Sequence, residues 1–182
     1  MVDRMFKFGQ QELRLNHKTY DSFIRKVQKL YNQRSNPYHN FKHGVSVMQG
    51  VYFFTKFTTF KPTNLQKLAL LFSALMHDID HTGKSNTFEG NSMSSLAIRY
   101  NDRSILENHH CATAFEVLAD PKTNILEDMT CRQKHTEFRK IVIGSILATD
   151  VKHHFDSLGK FKSKLDNNEL NPNFEQNEDD FL

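Results

Sequence analysis

The stretch "ALMHDIDHTGKSNTF", residues 74–88, sets His77, Asp78, Asp80 and His81 within five positions at the close of an apolar run. Imidazole nitrogens and carboxylate oxygens are the donors that a borderline cation such as zinc takes together. A second pair, His39 and His43, stands four residues apart in "YHNFKH", and His109 and His110 are adjacent in "LENHH". Residues i and i+4 share one face of a helix, so each four-residue pair can turn both rings toward a common point. A lone histidine is as well explained by a backbone carbonyl, and a lone His-Asp pair by a solvated helix end. Repetition of the pairing is what favours a metal. His77 and Asp78 are neighbours, which a regular helix points about 100° apart. Both can reach one ion only where the helix ends, and Gly83 shortly afterwards permits that relaxation. Asp78 has two oxygens and could bridge to a second, harder cation such as magnesium. Bridged metals polarise a shared water and hold a phosphoryl oxygen, the chemistry of attack on a phosphate ester.

Such donors need rigid elements to hold them, and nearly every periodic segment has the helical period. Tyr20, Phe23, Ile24, Val27, Leu30 and Tyr31 predict a helix that Pro37 stops. Val45, Met48, Val51 and Tyr52 predict a second. Thr63-x-x-Gln66 reads as a capping box launching a third through Leu65, Leu68, Ala69, Phe72, Leu75 and Met76, straight into His77. Gly83 and the polar "GKSN" end it, and Ser92 to Tyr100 predicts one short helix, with Tyr100, Asn101 and Asp102 as its stop. Ser104-x-x-Glu107 and Thr130-x-x-Gln133 read as two further capping boxes, opening helices through Leu106–Val117 and through Phe138–Asp150. A last helix is predicted from His153 to Leu165. No segment alternates like a strand, so the fold class is all-α, a multi-helix bundle.

At 182 residues the chain suits one domain with a real core, and sixteen Phe with no Trp make that core aromatic. From Asp166 onward there are six acids and no Lys or Arg, which leaves residues 1–165 at about +9, from 24 bases against 15 acids. Residues 166–182 read as an acidic, disordered tail and residues 1–165 as the folded domain. No Lys/Arg block is dense enough for nucleic acid. Cys111 and Cys131 have neither metal nor redox spacing and suit a reducing, cytoplasmic setting. The longest apolar run, "LALLFSALM", is half of what a membrane span needs, and "MVDRMFKFGQQ" has no signal-peptide core. The chain reads as soluble, or as the soluble part of something larger.

The block "HDIDHTGKSNTF", preceded by "PYHNFKHG" and followed by "SSLAIRYNDRSILENHHCATAF" and "ILATDVKHH", resembles the catalytic domain of the cyclic nucleotide phosphodiesterases, a family of HD-type metallophosphohydrolases. The four blocks stand in that family's order, from about Leu13 to Leu165. The resemblance implies hydrolysis of 3′,5′-cyclic nucleotides, cyclic AMP or cyclic GMP, to 5′-monophosphates in signalling. It implies two divalent ions, zinc with magnesium or manganese. His43, His77 and Asp78 would be metal ligands, with Asp78 bridging, and His39 the general acid for the departing 3′-oxygen. His81, Glu107, His110, Thr149 and Asp150 would surround the metals and their water, and Tyr38 would sit at the substrate rim. Asn86 more readily fixes its loop than touches substrate.

Two small departures from the family pattern are Gly44 for alanine and Thr82 for proline. A larger one is that the family's fourth ligand, an Asp, and its purine-gripping Gln have no counterpart in these residues. The chain is therefore expected to represent the N-terminal portion of the catalytic domain and to turn over cyclic nucleotides negligibly by itself. The alternative is a catalytically inactive metal-binding or regulatory remnant. Another HD-type hydrolase is disfavoured, because such relatives lack the "YHN" and "ENHH" blocks. Apolar faces on the long helix (Phe138, Ile141, Val142, Ile146) and the last one (Phe155, Leu158, Phe161, Leu165) are expected to lie exposed and to drive self-association.

Overall fold

The computed structural model describes residues 16–57 and 62–167, and every regular element in them is helical. Helix α1 (His17–Asn32) starts where the Asn16 side chain accepts the Lys18 N–H, and it buries Tyr20, Phe23, Val27 and Tyr31. Helix α2 (Phe41–Phe57) follows the "NPYHN" turns, and α3 (Asn64–Met76) follows Thr63. The Thr63 capping box forms in both directions: Gln66 N–H donates to Thr63 Oγ1 and Thr63 N–H to Gln66 Oε1. Helix α3 is the centre of the molecule, with Leu65, Leu68, Leu71, Phe72, Leu75 and Met76 all buried. A helix apolar on every side has to be covered on every side. Here α2 and α7 (Arg132–Leu147) flank it, and α6 (Ile105–Ala119) closes against α7. The aromatic core runs through three helices, Phe23 to Phe72 with ring centroids 6.0 Å apart and Phe72 to Phe138 at 5.4 Å.

Several expectations need correction. The "KSN" segment is not simply a loop: Ser85 caps a helix α4 (Asn86–Asn91), and Ser94 caps α5 (Ser95–Tyr100). The helix expected from Ser92 to Tyr100 thus starts only at Ser95, after a turn in which Met93 has φ 49°. Ser104 makes no cap; its hydroxyl donates to Asp150 Oδ2 at 2.7 Å, and the Leu106 N–H is taken instead by Asn86 Oδ1. Thr130 does not cap α7 either, since that helix begins one residue after Cys131. The long helix also ends at Leu147 rather than Asp150, and Asp150 caps a 3-10 turn, Val151–His153, that leads into α8 (His154–Asp166).

The largest correction concerns the apolar face of α7. Phe138, Val142 and Ile146 are fully buried against the rest of the core, so the chain covers that face itself. Helix α8 does expose its stripe, with Phe155 at 79% and Phe161 at 52%. The expected tail lies outside the described residues from position 168 on. Among the described residues no helix is long and apolar enough to cross a membrane.

Candidate metal centre

Two asparagines build the approach to the centre. Asn36 Oδ1 accepts the N–H groups of Tyr38 and His39, an Asx turn that swings both rings to one side. Asn40 Oδ1 accepts the N–H groups of Lys42 and His43, so it caps α2 and places His43 in the first turn. On the facing side α3 ends at Met76, and His77 is its C-cap. The chain then turns through residues 77–80, with Asp80 left-handed at φ 56°. Release from the helix lets His77 and Asp78 converge, as their adjacency required.

Three donor atoms meet there. His43 Nε2 lies 3.2 Å from His77 Nε2 and 3.1 Å from Asp78 Oδ2, and His77 Nε2 is 3.0 Å from that same oxygen. A tetrahedral ion held at about 2 Å by each donor sets them about 3.3 Å apart, so the spacing fits zinc. Tautomers sharpen the case. His77 Nδ1 is 2.9 Å from the Ala74 carbonyl and must donate to it, which leaves a lone pair on Nε2 in the neutral ring. That lone pair faces a carboxylate oxygen and a second imidazole nitrogen, and only a proton or a metal ion relieves the contact. Without an ion, burial works to lower the His77 pKa, but the bond to Asp78 and its charge outweigh it and raise the pKa above the ordinary value. Burial alone would raise Asp78; the hydrogen bond and charge of His77 hold it far below the carboxylate range. Burial lowers His43.

The neighbouring histidines differ in what their rings can offer. His81 Nδ1 accepts the Gly83 N–H at 2.9 Å, so neutral His81 carries its proton on Nε2 and is a donor there. Burial, then the nearby His39, depress its pKa to about 4 and keep it neutral. His110 donates Nδ1–H to the Ile79 carbonyl at 2.7 Å and turns Nε2 to Asp78 Oδ1 at 3.9 Å, its pKa lowered by burial to about 3. Asp78, His81 and His110 form a second group of donor atoms near one another. His39 stacks on His81 with centroids 3.9 Å apart and planes 7° from parallel, and Tyr38 stands at the edge, 64% exposed, against both His39 and His43.

A cleft of about 900 Å³ opens beside these rings, lined among others by His39, His81, Asn86, Glu107, Asp150 and Lys152. Glu107 accepts from Asn86 Nδ2 at 2.8 Å, and burial raises its pKa. Asn86, the first residue of α4, thus ties that helix to the start of α6 from both ends of its amide. Asp150 is buried, bonded to Ser104 and to the Lys152 N–H. Thr149 is exposed and its hydroxyl donates to the Ile146 carbonyl at 2.6 Å.

Sequence reasoning gave Asp80 no role. Its carboxylate accepts from Gln33, from Arg34 Nε at 3.1 Å and from His109 Nε2 at 2.8 Å, clamping the exit of α1 and the second turn of α6 to the turn below the centre. Its place inside "HDIDH" was the available signal, but the partners are distant in the chain. Thr82 uses its hydroxyl where a proline has none, donating to Glu89 Oε1 at 2.7 Å and so holding α4 against the turn.

A family model for 3'5'-cyclic nucleotide phosphodiesterases matches residues 38–182. The 3′,5′-cyclic-nucleotide phosphodiesterase regA of Dictyostelium discoideum is 42% identical over 147 residues, 80% of this chain and 18% of that protein. The human high affinity cGMP-specific 3′,5′-cyclic phosphodiesterase 9A is 41% identical over 140 residues, 75% of this chain and 23% of that protein. Among solved structures, the phosphodiesterase domain of the RhoPDE fusion protein from the choanoflagellate Salpingoeca rosetta superposes with a TM-score of 0.83 at 35% identity, covering 88% of this chain and 50% of that one. The chain therefore spans about a fifth of the curated relatives it matches and half of the solved domain.

Proposed function

The chain belongs to the 3′,5′-cyclic nucleotide phosphodiesterase family, and from that premise we propose that its cluster holds the metals for hydrolysis of a cyclic nucleotide to the 5′-monophosphate. The observation that carries this reading is the meeting of His43, His77 and Asp78 donor atoms 3.0–3.2 Å apart, with the His77 proton committed elsewhere. These three residues would hold a zinc ion, and Asp78 Oδ1, on the side of His110, would face a second ion, magnesium or manganese. When bound, such ions supply charge for a phosphoryl oxygen and a more acidic water.

The residues around them have separate tasks. His39 is the general acid: a water oxygen bonds to phosphorus and loses a proton to solvent, the bond to the 3′-oxygen breaks, and His39 gives that oxygen its proton. Stacking on His81 and the Asn36 turn hold its ring at the cleft wall. His81, a neutral donor at Nε2, and Glu107, a half-buried acceptor, orient polar groups in the cleft, and His110, its Nδ1–H committed to the Ile79 carbonyl, holds the turn that carries Asp78. Asp150 braces the cleft through Ser104, with Thr149 in the turn between the helix end and Asp150. Tyr38 borders the substrate entrance. Both cysteines are free, which supports a cytoplasmic setting. Helix α8, with its exposed stripe, is the surface on which copies of the chain would associate.

Calorimetry with zinc tests the centre: His77→Ala should weaken binding by about a hundredfold or more, and an unchanged titration would refute it. Turnover is tested by joining this chain in frame to the second half of the solved domain it matches. That chimera should hydrolyse cyclic nucleotides with magnesium present, and His39→Ala should lower kcat by about a hundredfold or more. Full activity of the His39→Ala chimera would remove its assignment as the acid.

A further inference from the structure

Tyr31, at the end of α1, is 2% exposed and packs edge-on against Phe41. Its hydroxyl spends both of its capacities on the far side of a helix junction. It donates to the Leu75 carbonyl at 2.8 Å and accepts the Asp78 N–H at 3.3 Å. The last carbonyls of a helix have no partner within it, and Leu75 is in the last turn of α3. The Asp78 N–H belongs to the peptide that joins His77 to Asp78, the plane about which both donor side chains are set. One hydroxyl, 44 residues from Leu75 in the chain, therefore spans the point where α3 stops and the cluster begins.

Gly44 makes room for it. A Cβ at that position would lie 3.0 Å from the Leu75 oxygen and 3.0 Å from the Tyr31 hydroxyl, closer than nearly all real Cβ contacts. Gly44 follows His43 on α2, so its bare backbone lets the helix carrying one donor close on the turn carrying the other two. The tyrosine hydroxyl sits in the gap. Gly44 and the tyrosine that fills the space beside it are thus one fitted pair.

We infer that Tyr31 is a positioning residue for the metal centre, its hydroxyl, admitted by Gly44, fixing the His77–Asp78 peptide so that the Asp78 carboxylate meets His43 and His77. This inference rests on the reading of the cluster as a metal site. A purely structural tyrosine would lend stability and leave the donors' aim unchanged; this one bonds the N–H of the donor residue itself.

The test uses the 182-residue chain with cobalt(II) as the probe, read by its visible absorption, and amide hydrogen exchange at Asp78 without metal. Tyr31→Phe keeps the ring and removes the hydroxyl. It should loosen cobalt about tenfold, change the shape of the visible bands and speed exchange at Asp78. Gly44→Ala, which pushes a methyl into the same gap, should act in the same direction and serves if Tyr31→Phe folds poorly. Val142→Ala, a core deletion away from the centre, should lower the melting temperature and leave cobalt affinity, spectrum and Asp78 exchange unchanged. Cobalt binding that needs His77 but ignores both Tyr31→Phe and Gly44→Ala would overturn this inference alone, as would equal loosening by Val142→Ala. Cobalt binding that survives His77→Ala unchanged would overturn the metal reading and this inference with it.

Discussion

In α7, Phe138, Val142 and Ile146 are fully buried, whereas in α8 Phe155 and Phe161 stand 79% and 52% exposed. Both helices carry apolar residues at helical spacing, yet among the described residues only the first has its stripe fully buried. The difference lies in what surrounds each. Helix α7 runs alongside α3 and α6, whose own apolar faces need covering in return, while α8 departs through a 3-10 turn at Asp150. An amphipathic stripe states which face seeks cover; whether the cover is present depends on the rest of the fold. The residues proposed to hold a metal, His43, His77 and Asp78, stand at the ends of α2 and α3, where packing holds side chains in place.

The comparison can be broken most directly by truncating one aromatic on each helix. Phe138→Ala should cost about 3–5 kcal/mol, because it leaves a cavity beside Phe72. Phe161→Ala should stay within about 0.5 kcal/mol. Urea melts of both variants decide it, and similar losses would mean that α8 is packed after all.

The pH dependence of zinc binding should belong to these helix ends alone. Protons compete with the ion at His43 and His77, so affinity should fall as pH falls, by about tenfold per unit for each histidine that must lose a proton. With the His77 pKa raised and that of His43 lowered, the His77 step should lie above about pH 6.5 and the His43 step below it. Asp78, held far below the carboxylate range, should add nothing across the neutral region. Calorimetry from pH 5 to 8 checks this, and a flat profile would count against histidine ligands.

A smaller effect is expected at the exposed helix. Replacing Phe155 and Phe161 together by Asp should weaken self-association about tenfold while leaving the melting temperature and zinc affinity in place. Sedimentation against concentration would show it; a wild-type chain monomeric at all concentrations would contradict the proposed surface. The least disruptive test sets Cys111, buried and with its pKa pushed up to about 12, chiefly by burial, against exposed Cys131. At pH 8 an alkylating reagent should add once, at Cys131, as judged by mass spectrometry. Rapid double labelling would mean that the core around α6 opens.

What could be read from the residues in order was whatever short-range spacing controls. Thr63 and Gln66 stand three apart and do form their capping box; the apolar run after them does become the central helix; His77 and Asp78 do lie where that helix ends. Period and cap chemistry act within a few residues, so those features were legible. The same reasoning misassigned Ser104, whose hydroxyl donates to Asp150, 46 residues away, while Asn86 rather than Ser104 accepts the Leu106 N–H. It overlooked Asp80, whose partners come from α1 and α6, and Tyr31, whose hydroxyl works at the end of α3. The types of donor and their local grouping were determined by the sequence alone. Their convergence to 3.0–3.2 Å, the coverage of α7 and the gap at Gly44 were decided by the tertiary structure, because each depends on atoms that only packing of distant helices brings together.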